Sequence, residues 1–528
     1  MLLVVVKLNP FNLMILGNKN KLLSQIPIVI LALIGAISIF LLTSRNGASV
    51  SPDSVAYISV ARHISDGMGF VNYDGYFFVL QPPLYPFLLA AVKKIFLLDP
   101  LISAGYLNAI FFGLIIYYSG LFLLKLLKSL PLTIIGTASI LVSFVFIQIM
   151  LLALSEPLFI LLVLLYLYYF DIYKSEKTIV SLLLFSSAAA LACLTRYVGV
   201  IIILTGSISI FLWGSKTIKV MFRHLIIFLL ITILPTAFWI LRNYFLSGTF
   251  VGHRAKSSYT FTENLIFSFN TMLKWFSPVQ MNGQQLLFLS LVVCGGIIAG
   301  IIFMNRAKED ELKLKQIGPA LLFVIFYSGI IIISSTTTAY DKIANRLLSP
   351  VFVPLLFIIF LILDHILTRL SKYFHRRFLS IVFLVGVMFW MRYHVTRTIY
   401  NIEEYIEDSG GEYSGKVWKD NSVIRYLNNH KKLESEYSFY SNAPEAVYIL
   451  ANIDTKWSPS KTMYNSPQLL NTNPAIIDIY NEKNKVCLVW FNNMDRNFLF
   501  TIDELQKSRP IVKVVQLKDG EIYTFAKQ

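Results

Sequence analysis

The chain has 528 residues, of which 56% are hydrophobic and only 14% charged, and its mean hydropathy is +0.64. Soluble domains carry about a quarter charged residues, so a soluble protein is excluded and a polytopic membrane protein is expected. The net charge of +16 does not point to nucleic acid, because the positive residues gather in short connections between apolar runs. Of three cysteines, Cys193 and Cys294 fall in apolar runs and Cys487 is alone in the polar tail. They offer neither a disulfide in the tail nor a zinc spacing.

Residues 2–6 are apolar, but Asn9 and Pro10 cut that run short and no small-residue cleavage site follows, so no cleaved leader is expected. Eleven spans are predicted, at roughly 26–43, 103–124, 131–150, 156–173, 178–194, 197–213, 224–246, 286–304, 317–335, 347–364 and 378–395. Each suits a hydrocarbon core of about 30 Å. Lys and Arg concentrate in alternate connections, for example Lys125 and Lys128, Lys216, Lys219 and Arg223, and Arg369, Lys372, Arg376 and Arg377. By the positive-inside rule the N-terminal segment 1–25 is cytoplasmic and the tail is extracytoplasmic. This order divides the chain into that segment, a membrane module at 26–398 with a first outer loop at 44–100, and a tail at 399–528. Asp53, Glu156, Arg196, Arg242, His253, Arg254, Asp341 and Arg346 then all fall on the outer side. A transporter places its charges near the bilayer midplane, whereas this pattern fits an enzyme at the membrane boundary.

The first outer loop opens with Ser51-Pro52-Asp53, a helix start with Ser at the N-cap, Pro in the first turn and an acid beside it. On the helix that follows, Tyr57, Val60, Ala61 and Ile64 share one face, and Ser59, Arg62, His63 and Asp66 lie opposite. An amphipathic helix lying on the membrane surface is expected. Gly67-Met68-Gly69 ends it, and Gln81-Pro82-Pro83 starts a second apolar helix. Asp53 also has a plain structural use, satisfying the helix terminus.

The string P-D-S-x-x-Y, then A-x-x-x-x-x-G-x-G-F, then P-P-L-Y-P resembles the first outer loop of membrane glycosyltransferases of the GT-C class. The nearest group is the protein O-mannosyltransferase and aminoarabinose-transferase relatives, glycosyltransferase family 39-like, which use a sugar carried on a polyprenyl phosphate. The resemblance extends through about residue 365. It implies an α-helical polytopic membrane fold with amphipathic helices in the first outer loop, and it makes Asp53 the catalytic aspartate. One departure is Gln81, where the aminoarabinose transferases have a basic residue before the paired prolines.

Further segments follow the same resemblance. Ser155-Glu156-Pro157 matches an S/T-E-P at the start of span four, where Glu156 binds sugar or acceptor, or serves the helix dipole. Arg196 in Thr195-Arg196-Tyr197 matches an R-Y after span five; it holds a phosphate oxygen or reaches lipid headgroups. Asp341 to Pro350 resembles a segment in which an acid precedes R-Y/L-L-x-P, here with four residues between Asp341 and Arg346. There Arg346 stands at a helix start with the wrong sign for the dipole, which favours anion binding. Arg242 and the basic stretch with His253 and Arg254 add weaker donor- or substrate-binding candidates, and Tyr57 and Asp341 join the substrate side. Asp53 and Glu156 alternatively share a divalent cation, Mg or Mn.

Beyond Tyr400 the composition turns polar. Strand-like runs at 437–440, 486–491, 511–517 and 522–525 alternate with helix-like stretches at about 420–431, 443–452 and 502–507, giving a small α/β domain. The expected activity is transfer of a sugar from a polyprenyl-phosphate-linked donor to a hydroxyl of a protein, lipid or glycan acceptor, among membrane lipids and without nucleic acid. The rival readings are a polysaccharide polymerase or ligase and a lipid or solute transporter.

Overall fold

The structure is a computed structural model that describes residues 18–127, 129–215, 217–276, 285, 308–370, 376–462, 479, 485–508 and 510–525. Its apolar runs are helices, because backbone in hydrocarbon must satisfy its polar groups within its own segment. In chain order these are α1 (Asn18–Asn46), α2 (Pro52–Ser65), α3 (Leu84–Phe96), α4 (Pro100–Leu126) and α5 (Leu130–Leu141). Then come α6 (Phe144–Met150), α7 (Glu156–Glu176), α8 (Ile179–Thr195), α9 (Val200–Trp213) and α10 (Ile218–Ser247). They are followed by α11 (Phe261–Lys274), α12 (Lys308–Thr337), α13 (Asn345–Leu370) and α14 (Arg376–Glu407).

By length and composition, six described segments can cross a membrane; they lie in α1, α4, α7, α10, α12 and α13. α5 and α6 bend by 45° at their junction and together make a seventh. α8 and the stretch ending in α9 are apolar but shorter. The expected span at 286–304, with Cys294, lies outside the described residues. The one expected at 378–395 falls in α14, which is not among the helices that qualify. α14 also runs unbroken through residue 399, where the composition changes.

α2 departs from the expected surface helix. Much of its polar face is covered, although Asp66 stays exposed: Ser59 is fully buried and donates to Asn72 Oδ1 at 2.9 Å. His63 is buried with Nδ1 2.7 Å from the Val71 carbonyl oxygen, and Arg62 pairs with Asp99 at 2.9 Å. The covering groups come from the rest of the first loop and from residues near 450, so a local wheel could not show them.

A three-lane ribbon lies beside α2. Ser49 pairs in parallel with Leu152, and Val50 in parallel with Glu412. The bonds are Ser49 N to the Leu151 carbonyl at 2.8 Å, Ala153 N to the Ser49 carbonyl at 2.9 Å, and Tyr413 N to the Val50 carbonyl at 3.1 Å. Ser414 Oγ donates to the Ala48 carbonyl at 2.9 Å, and Ser49 Oγ donates to the Gly410 carbonyl. Two lanes run straight into helix starts, α2 and α7, so the ribbon sets where those helices begin.

Residues after α14 build a five-stranded mixed sheet of β1 (Tyr437–Ser441), β2 (Thr455–Trp457), β3 (Lys485–Phe491), β4 (Ile511–Leu517) and β5 (Gly520–Phe525). The order is β2-β1-β3-β5-β4; β1 is parallel to β2 and β3, and β5 is antiparallel to β3 and β4. The helix Pro444–Ala451 packs toward α2: Arg62 lies 5.6 Å over the Tyr448 ring and donates to Asn452 Oδ1 at 3.4 Å.

Candidate active site

Asp53 owes its place to the start of α2. Ser51 is extended (φ −83°, ψ 170°) and exchanges hydrogen bonds with Ser54, its backbone N to Ser54 Oγ at 3.1 Å and its Oγ from Ser54 N at 3.4 Å. This reciprocal cap and Pro52 fix the first turn. The Asp53 side chain, 40% exposed, projects from that turn. It forms an ion pair with Arg346 and accepts a 3.4 Å hydrogen bond from Gln81 Nε2. The residue that departs from the aminoarabinose-transferase pattern therefore touches the aspartate.

Glu156 is the first residue of α7, the favourable end for an acid, and only 1% exposed. One oxygen, Oε1, takes both Arg196 Nη1 at 2.6 Å and Arg346 Nε at 2.8 Å. Its other oxygen is buried without a hydrogen-bond partner among the described residues. Arg196 is held by a tight reversal between α8 and the short helix Tyr197–Gly199. A Cβ at Gly199 would stand 2.7 Å from the Ala192 carbonyl oxygen and 2.8 Å from Cys193 Cα, so only glycine lets the chain turn there. Arg196 Nη1 also donates to Ser155 Oγ at 3.3 Å, which lies 3.1 Å from the Tyr57 hydroxyl. Burial pushes the Tyr57 hydroxyl far above the ordinary tyrosine range.

Arg346 lies in the first turn of α13, where its charge opposes the helix dipole; Asp53 and Glu156 offset it. Pro350 has no N–H to bond the Arg346 carbonyl, and Ser349 Oγ donates to that oxygen instead at 3.1 Å. Trp275 Nε1 to Asn345 Oδ1 at 2.9 Å and Asn345 Nδ2 to Gln148 Oε1 at 2.9 Å anchor the helix start.

These side chains border a cavity of about 400 Å³ that Asp53, Tyr57, Gln81, Arg196, Asp341 and Arg346 help to line. Arg254 and Lys342 line it too. Arg254 Nη2 donates to the Leu80 carbonyl at 2.7 Å with its guanidinium 5.4 Å over the Tyr340 ring, and Lys342 Nζ sits 4.2 Å over the Phe267 ring. Among the described residues neither has a carboxylate partner. Ser334 and Ser335, polar residues closing an apolar run, also line the wall and were missed in the sequence.

Two candidates stand apart. Arg242 does not line the cavity; Nη1 donates to the Phe78 carbonyl at 2.8 Å and Nη2 to the Phe70 carbonyl at 3.4 Å, with the guanidinium 4.4 Å over Trp239. Two of its donors go to first-loop backbone and one to Asn243 Oδ1, so it fastens that loop. His253 is exposed and is not a lining residue. The two carboxylates named as candidate cation ligands are both engaged by arginine. Asp53 and Glu156 both close on Arg346, whose guanidinium occupies the place between them, and no described group of three His, Cys, Asp or Glu is close enough to hold a metal.

No family model matches the chain, and no curated protein matches it in sequence. Solved structures do. ArnT from Cupriavidus metallidurans, in the apo state and bound to undecaprenyl phosphate, matches with TM-score 0.61 at 13% identity, over 94% of this chain and 97% of that one. The fold is that of the GT-C membrane glycosyltransferases. The oligosaccharyltransferase of Archaeoglobus fulgidus, solved with Zn and sulfate, shares the GT-C fold with TM-score 0.53 at 12% identity, over 91% of this chain and 71% of that one. The archaeal oligosaccharyltransferase AglB from Archaeoglobus fulgidus, with an inhibitory peptide and a dolichol-phosphate, gives 0.52 at 11% identity, over 90% and 70%. With six long apolar helices among the described residues and the GT-C fold, the chain is a multi-pass membrane protein.

Proposed function

We propose that the chain is a membrane glycosyltransferase that moves a sugar from a polyprenyl-phosphate carrier to an acceptor hydroxyl on the outer face of the membrane. The observation that carries this reading is the ion-paired cluster of Asp53, Arg196 and Arg346 lining one cavity, with buried Glu156 holding both arginines. It is supported by the likeness to a structure that holds undecaprenyl phosphate and to one that holds dolichol-phosphate.

Asp53 takes the proton of the acceptor hydroxyl, whose oxygen attacks the anomeric carbon. The bond from that carbon to the phosphate oxygen breaks, and the lipid phosphate leaves with the electron pair. A phosphate is a weak base, so no strong general acid is required. Arg346, the more open of the two arginines at 31% exposure, faces the leaving oxygens, with Arg254 and Lys342 also lining the cavity. Arg196, at 16% exposure, backs Glu156 and keeps the cluster in register. A site that excludes water strengthens each contact. No step passes through a metal.

Asp53→Asn is expected to lower transfer at least about 100-fold, the usual worth of a general base, while the protein still folds. Transfer can be followed by mass spectrometry of glycans and glycoproteins in a deletion strain complemented with each form. Activity above about a tenth of the unaltered level would remove Asp53 from the chemistry.

A further inference from the structure

One wall of the cavity carries little charge. Thr195, at the end of α8, and Val198 line it beside Ile331, Ser334 and Ser335 of α12, and the short helix Tyr197–Gly199 packs against α12. Arg196 belongs to the same stretch, but Glu156 meets its charge. Hydroxyls within helices commonly bond back to a carbonyl three or four residues earlier. Those around Ser335 do so: Ser334 Oγ donates to the Ile331 carbonyl at 3.2 Å, Thr336 Oγ1 to the Ile332 carbonyl at 2.8 Å and Thr337 Oγ1 to the Ile333 carbonyl at 3.3 Å. Thr195 Oγ1 likewise donates to the Leu191 carbonyl at 2.7 Å. Ser335 is the exception. It is 3% exposed, and its hydroxyl has no hydrogen-bond partner among the described residues. Other serine hydroxyls there lack a partner too, at Ser119, Ser143, Ser209, Ser328 and Ser458, but none of those residues lines the cavity. A buried hydroxyl without a partner costs stability. At a cavity wall, a polar atom of a ligand removes that cost.

We propose that this wall is the subsite for an uncharged donor sugar, with Ser335 as the hydroxyl contact that selects it. This rests on the lipid-phosphate reading given above. The phosphate of the donor only accepts hydrogen bonds and is best held by cations; Arg346, Arg254 and Lys342 line the cavity for that purpose. A sugar hydroxyl both donates and accepts, as a serine hydroxyl does, so each satisfies the other. Val198 and Ile331 give the C–H face of the ring an apolar contact. A sugar bearing an ammonium or a carboxylate would bury that charge against this wall without a free counter-charge. The donor is thereby divided between a cationic side for its phosphate and a neutral side for its sugar.

The test is lipid binding to the full-length protein in nanodiscs. The probes are the glucose, mannose, glucosamine and glucuronic acid esters of decaprenyl phosphate, with the methyl ester as a diester that carries no sugar. The unaltered protein is expected to bind the glucose or the mannose ester at least about threefold tighter than the methyl, glucosamine and glucuronic acid esters. Ser335→Ala is expected to bind that neutral ester about three- to tenfold more weakly, the worth of one hydrogen bond, and the methyl ester unchanged. Its melting temperature in detergent should be no lower than that of the unaltered protein, because the hydroxyl has no protein partner to lose. Ser328→Ala removes another unpartnered hydroxyl of α12, away from the cavity, and should leave binding as it was. The proposal is overturned if Ser335→Ala weakens the methyl ester as much as the sugar ester, weakens neither, or acts no differently from Ser328→Ala. It is also overturned if the unaltered protein binds no neutral sugar ester more tightly than the methyl ester, or binds a charged one best. Failure of the unaltered protein to bind any of these lipids refutes the lipid-phosphate reading itself, and this inference falls with it.

Discussion

Asp53 and Glu156 begin as the same kind of residue, an acid in the first turn of a helix, and part company through burial. Asp53 is 40% exposed beside a cavity, while Glu156 is 1% exposed and carries two guanidiniums on one oxygen. Removing the partner of a buried charge costs on the order of 3–5 kcal/mol, against about 0–1 kcal/mol for an exposed pair. Glu156→Gln is therefore expected to lower both stability and transfer, because Arg196 loses its counter-charge in a nearly dry site. Asp53→Asn lowers transfer with little change in stability. Thermal unfolding in detergent, set beside activity, separates the two roles; equal melting points for both variants would contradict the assignment of Glu156 as the anchor.

At the scale of elements, the first loop is held by side chains from distant helices. Tyr197 donates its hydroxyl to the Val79 carbonyl at 2.8 Å, Asn243 Nδ2 reaches the Tyr197 hydroxyl at 3.0 Å, and Arg242 clasps the Phe78 and Phe70 carbonyls. Arg242→Ala is expected to raise hydrogen exchange across residues 70–80 by about tenfold or more, the loss of one charge-assisted hydrogen bond. Lipid-phosphate affinity should change less than in Arg346→Ala; the reverse order would return Arg242 to the phosphate. The same contrast shows what the chain reveals of itself. Helix starts were legible at Ser51-Pro52-Asp53 and Ser155-Glu156-Pro157 because caps are local, and strands such as β3 and β4 were legible from short β-branched and aromatic runs. β2, at three residues, is too short to carry a pattern. The ribbon joining 48–50, 151–153 and 410–413 has none either, since its pairing depends on where the helices end. The hold of Arg242 on the first loop was hidden for a related reason: its carbonyl partners lie 164 and 172 residues earlier.

Across the whole molecule, the sheet-bearing C-terminal part rests on the first loop, and that contact carries Asp74, which has no ion pair among the described residues, and Asp454, 4.0 Å from His63 Nε2. Burial raises the pKa of Asp74 from 3.8 to about 6, with Asp454 adding to the rise, and Asp454 is itself raised by burial against the pull of His63. A carboxyl whose folded pKa lies above its unfolded value binds its proton more tightly when folded. Its contribution to stability is therefore greatest below about pH 4, falls as pH rises through about 6, and is level above that. A pKa near 6 in place of 3.8 corresponds to about 3 kcal/mol at most, and partial exposure brings this to about 1–2 kcal/mol. The unaltered protein is thus expected to hold its C-terminal part on the first loop more firmly at about pH 5 than at about pH 7.5, read as slower hydrogen exchange in residues 444–457. Asp74→Asn, neutral throughout, should remove most of that difference and be the more stable form at the higher pH. Because other carboxylates titrate in the same range, the deciding quantity is the change in the pH slope between the two proteins. An unchanged slope would mean that Asp74 is solvated and that the contact is set by Arg62, Tyr448 and Asn452 alone.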